Sequence, residues 1–162
     1  MTMEPEKQDL HSSVDLPDTP DNRIPILEDL FYLGYTTSDK INIYKKDKSE
    51  INVIFRTITP VEHRDIFEYM TNFSSTEARL IVEKMEILAR AIKTINDMPL
   101  VLDVSERERF KKDHDRDPSP LDQARHIVSE KIKSVYVIDA LFEAYTKFVD
   151  EVRESFEDIK KK

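Results

Sequence analysis

Residues 120–160 read PLDQARHIVSEKIKSVYVIDALFEAYTKFVDEVRESFEDIK. Ser119 and Pro120 supply an N-cap hydroxyl and a proline at the first helical position, and no glycine or proline follows residue 120. The stretch therefore predicts one long helix over about 120–160. Val135, Ile138, Phe142, Tyr145, Val149, Val152, Phe156 and Ile159 recur at steps that alternate three and four, a heptad seam rather than a broad globular face. Leu141 and Phe148 widen it on one flank; upstream, Val128 holds the register and Lys131 breaks it. Such a helix would extend about 60 Å, against a globule about 30 Å across. Its first half, Val128 to Tyr145, can lie on the chain's own core. Its last turns overhang, and exposed apolar side chains there call for a covering partner. The candidate partner-binding residues are Phe142, Tyr145, Phe148, Val149, Val152, Phe156 and Ile159.

The core beneath that helix must come from earlier in the chain. Lys40–Tyr44 and Glu50–Ile58 alternate polar and apolar residues, with Ile51, Val53 and Phe55 on one face. Two such runs around the polar Lys46–Ser49 predict an antiparallel hairpin at about 40–58. Thr59-Pro60-Val61-Glu62 has the spacing of a capping box and opens a helix carrying Val61, Ile66, Phe67 and Met70. Ser74-Ser75-Thr76-Glu77 opens the next. Its apolar positions, Ala78 to Ile95, predict an amphipathic helix running to about Asn96 before Pro99. Residues 105–119 read as a charged, exposed linker, with Ser105 and Glu108 able to cap a turn or two of helix. Residues 24–34 predict a short helix stopped by Gly34. Residues 1–24, acidic and interrupted by Pro5, Pro17 and Pro20, predict a flexible arm. The fold class is therefore mainly α with a small antiparallel β-hairpin, an α+β helical domain over 25–160 with a long C-terminal helix.

Composition narrows the function. Of 162 residues only one is glycine and none is cysteine. Glycine-rich phosphate loops, disulfides, zinc–thiolate sites and thiol nucleophiles are all excluded. The net charge of −8, from 33 acids against 25 bases, repels nucleic-acid backbones and anionic lipid. No apolar run is long enough to span a bilayer. The expectations are no nucleic acid, no membrane, and a protein made in the cytosol. Asp113, Asp115 and Asp117 alternate as in a calcium loop, but that loop needs a glycine and a glutamate where this chain has Pro118 and Ala124. His114 reads as a solvated loop residue and His126 as a surface partner of Glu130. No nucleophile elbow is present. The expectations are thus no catalytic residues, no metal and no cofactor.

Phe55-Arg56-Thr57-Ile58-Thr59-Pro60 with Glu62, then the alanine-containing Ile87–Asn96 segment, then Pro99-Leu100 and a long helix with Ile138, Leu141, Phe142, Tyr145 and Phe148 follow in order. This arrangement, over about residues 50–160, resembles the small tail-assembly chaperones of tailed bacteriophages and related baseplate-hub assembly proteins. It departs from them at Asp97, where they often have glycine. The resemblance implies a non-catalytic chaperone that binds a helical client, the tape-measure protein, together with tail subunits in the host cytoplasm. The alternative is a structural component of the tail or baseplate that stays in the virion. A homo-oligomer is a further form of partner, and a metal-dependent enzyme or an acidic DNA mimic is a weaker reading.

Overall fold

Period-two alternation forms strands here as expected. The computed structural model describes residues 29–30, 33–44 and 50–161. Strand β1, Ile41–Tyr44, pairs antiparallel with β2, Glu50–Phe55, setting Ile41 opposite Val53 and Ile43 opposite Ile51. The arm at 1–24, most of the short helix at 24–34 and the hairpin turn lie outside the described residues. Of that short helix, Leu33 donates its N–H to the Asp29 carbonyl at 2.8 Å, and Gly34 ends the turn at φ 73°. The left-handed region favours glycine, which accounts for the one glycine in the chain.

The hairpin is half of a larger sheet. Helix α1, Pro60–Met70, and helix α2, Thr76–Ala91, follow β2. Helix α2 stops at Ala91, not near Asn96. Ile92–Ile95 instead forms β3 on the far side of β2, and Met98–Pro99 forms β4. The sheet order is β1-β2-β3-β4, all antiparallel. Ile92, Thr94 and Ile95 are β-branched, and pairing with β2 outweighs the helical spacing of their neighbours. Asn96 and Asp97 take φ of 50° and 64°, the two positive angles of a type I′ hairpin turn. The Asn96 side chain also accepts the Asn52 N–H at 2.9 Å, while its own N–H donates to the Asn52 carbonyl at 2.7 Å.

Two further expectations are corrected. The segment expected as a linker holds a helix, α3, Val104–His114. Asp103 caps it with Glu106 in a reciprocal capping box, two residues before the expected Ser105 and Glu108 pair. Only 115–119 connects onward, and Asp115 ends α3 at φ 53°. The long helix is broken as well. Helix α4, Pro120–His126, passes into a π-helical turn, Ile127–Lys131. Residues 132–134 are not helical, and helix α5, Val135–Lys160, then runs for 26 residues. Ile127, Val128 and Ile132 are poor helix formers. The wider π turn directs Val128, 1% exposed, into the core. Helix α5 alone is about 39 Å long, so little of it can overhang.

The core gathers where β2 meets α2 and α5. Val53, Phe55 and Leu88 have no exposed surface, and Leu141, Tyr145 and Phe148 close over them from α5. The Phe55 and Tyr145 rings lie 5.7 Å apart at a tilt of 60°. At the end of β2, the Arg56 N–H donates to the Ala91 carbonyl, while its guanidinium forks onto Glu62 at 2.5 and 2.9 Å. Glu62 thus completes the Thr59 capping box of α1 and anchors the strand. Burial pushes the Glu62 carboxyl up, but hydrogen bonds from Arg56 and from the Thr59 amide more than reverse this and bring it to about 2.

Two outcomes follow. A carboxyl bound more tightly as its anion stabilises the fold above the ordinary value of 4.5, and that contribution is lost as pH falls toward 2. The urea midpoint is expected to drop between about pH 5 and pH 2, with a shallower drop in Glu62→Gln. Asn96→Ala is expected to cost about 1–2 kcal/mol in urea unfolding, from the left-handed backbone and the orphaned Asn52 N–H. Asn96→Gly, which tolerates that backbone, costs less.

Candidate protein-binding groove

The seam divides between the chain's own core and its surface. Tyr145 and Phe148 are 7% and 6% exposed and belong to the core, so they serve the chain's own packing, with only an edge of Phe148 showing at the surface; burial also raises the Tyr145 phenol above its ordinary range. This corrects the expectation for these two residues. Phe142, Val149 and Val152 are half-buried and pack against the core. The Lys84 ammonium covers Phe142 from 5.7 Å and is itself tied to Asp139 at 2.7 Å. Phe156 and Ile159 are half-buried and stand outside the core cluster. Among the expected partner-binding residues, this last turn and the rims of Val149 and Val152 remain available.

The structure adds a feature that the seam alone does not reveal. Helix α5 runs beside β1, the edge strand, and two adjoining cavities of about 480 and 350 Å³ open between them. Ile41, Phe148 and Glu151 border both. Small side chains make the room: Ala140 and Ala144 on α5 face the larger cavity, and Ser155 the smaller. The rim is acidic. Glu143 is neutralised in part by Lys147 at 3.2 Å, whereas Asp39 and Glu151 have no ion-pair partner among the described residues. An apolar floor with acidic edges suits a polypeptide segment carrying apolar and basic side chains.

The other charged clusters are structural in character. Glu86 and Arg90, 5% and 7% exposed, pair on α2, and Glu86 also meets Arg125 of α4. Arg90 reaches Glu86 at 2.5 Å, and Arg125 grips both carboxylate oxygens at 2.8 Å with its guanidinium over the Tyr69 ring. Burial raises the Glu86 carboxyl, but hydrogen bonds from Arg125 and Arg90 carry it below the ordinary range. A carboxylate whose two oxygens both accept from guanidinium groups fastens α4 to α2 and is a poor proton acceptor. Between α3 and α4, Glu106, Arg109, Asp113, His114 and His126 border a cavity of about 130 Å³. There the His114 ring stacks on Phe110 at 4.1 Å, at the helical end of α3 rather than in a loop. Among the described residues no group of three histidine or carboxylate side chains could hold a metal ion, and none of the helices is long and apolar enough to cross a membrane.

Compared with protein-family models, curated proteins and solved structures, the chain matches none.

Breaking a buried pair leaves an uncompensated charge. Glu86→Ala is expected to cost about 3–5 kcal/mol in denaturant unfolding. Glu143→Ala at the exposed groove rim is expected to change stability by less than about 1 kcal/mol.

Proposed function

We propose that this chain is a protein-binding factor without catalytic activity that holds a partner polypeptide in the groove beside α5 and along its last turns. The observation that carries this reading is the open, apolar-floored and acidic-rimmed groove beside α5, which Val152 borders and after which the half-buried Phe156 and Ile159 follow on the same helix. A surface of this kind buries the apolar face of a basic, aggregation-prone segment while its carboxylates keep the complex in solution. Joined to the resemblance in residues 50–160, the reading becomes a bacteriophage tail-assembly chaperone acting in the host cytoplasm on the tape-measure protein.

The test is co-expression with the tape-measure protein encoded in the same genome. Soluble recovery of that client is expected to rise with the intact chain. It is expected to fall back with the Phe156→Asp/Ile159→Asp double variant, whose substitutions lie outside the core cluster. Recovery that is the same with and without the chain overturns the chaperone role.

A further inference from the structure

We infer that β1 accepts an extended segment of the partner as an added strand, antiparallel or parallel, seated in the groove between β1 and α5. This rests on the protein-binding reading above and specifies how the partner is held.

The backbone directions along β2 show which groups of β1 point outward, and among the described residues no strand pairs with that edge. Phe55 donates its N–H to the Ser38 hydroxyl at 2.9 Å and accepts the Ser38 N–H at 2.8 Å. Asn52 directs both its backbone groups to Asn96, on the opposite side. Antiparallel ladders alternate in this way, so Ile51 and Val53 turn their backbone groups toward β1 and bond Ile43 and Ile41. The N–H and C=O of Asn42, between them, face away from β2. Asn42 is exposed and borders the larger cavity. An added strand lies about 4.8 Å from its neighbour, which places it over Ala140 and Ala144. Lys40, a charge that could guard this edge, is drawn across the sheet to Asp97 at 2.7 Å.

The occupant follows from charge and shape. A helix could fill the cavity but would leave the Asn42 backbone groups without partners. A second copy paired edge to edge would bring Asp39, Glu143 and Glu151 of two chains together at a net charge of −8 each, and like charges oppose that arrangement. An extended segment with alternating apolar and basic residues satisfies each demand. Its apolar side chains lie on the alanine floor, its backbone bonds Asn42, and its bases reach Asp39 and Glu151. The opposite edge offers no equivalent, because β4 has two residues and Pro99 contributes no N–H.

The experiment is an NMR titration of the isotope-labelled full chain with a short capped peptide alternating valine and lysine. The expected result is a shift of the Asn42 and Ile43 amides and about tenfold slower hydrogen exchange at Asn42. Asn42→Pro removes an N–H that β2 does not use, so it preserves the hairpin and is expected to weaken binding about tenfold. The same peptide N-methylated on its pairing face is expected to lose affinity to the unaltered protein by a similar factor, which keeps the test valid if Asn42→Pro is poorly folded. A valine–glutamate peptide is expected to bind more weakly than either. Equal binding of plain and N-methylated peptides, or no change at Asn42, overturns strand addition. A helical leucine–lysine peptide that shifts Val152 to Ile159 but not Asn42 also overturns it, and leaves the protein-binding reading standing. If neither peptide shifts either region, both readings fall.

Discussion

Strand β2 is the member on which the rest of the fold depends. Val53 and Phe55 have no exposed surface, yet a strand of six residues can bury them only if helices close over one face and strands flank both edges. Phe55 packs on Tyr145 of α5, and the next residue, Arg56, bonds the last carbonyl of α2 and the capping carboxylate of α1. Two adjacent residues thus join the sheet to three helices. With charged residues at 36% of the chain, apolar area is scarce, and each large side chain must serve more than one contact.

That scarcity accounts for the fate of the heptad seam. Read as periodicity, Val135 to Ile159 is a uniform stripe, and uniformity predicts one seam whose last turns need a covering partner. Packing divides it by distance from β2. Tyr145 packs on Phe55 and, with Phe148, becomes core, Val149 and Val152 reach the margin, and Phe156 and Ile159 fall beyond it. A seam shows which residues share a face; what covers that face depends on where the remaining elements end.

The hairpin, the Thr59 and Ser119 helix caps and the α+β class were legible because each rests on local chemistry: alternation, a hydroxyl, a proline, a carboxylate at the right spacing; at the second helix the cap is Ser75 rather than Ser74, without a capping box. The misses also have physical causes. Ile92 and Ile95 fit a helical period as well as a strand, and only the open edge of β2 decides between them. Asn96-Asp97 lacks the glycine that usually marks a type I′ turn, although asparagine and aspartate tolerate positive φ better than other side chains. Asp103 and Ser105 each stand three residues before a glutamate, so spacing alone does not choose between them, and the chain uses Asp103. The π turn at Ile127–Lys131 carried no glycine or proline; its one signal was the cluster of β-branched residues. The groove was beyond reach of the sequence, since it depends on how far α5 stands from β1.

The two borders of the sheet are unlike. Pro99 makes β4 a dead end, so growth by backbone pairing can proceed from one side only. A layer that extends in a single direction cannot stack copy upon copy into a filament, since every addition needs both a donor border and an acceptor border. An outer border of β1 left open among the described residues therefore offers no route, by edge pairing alone, to a polymer of the chain.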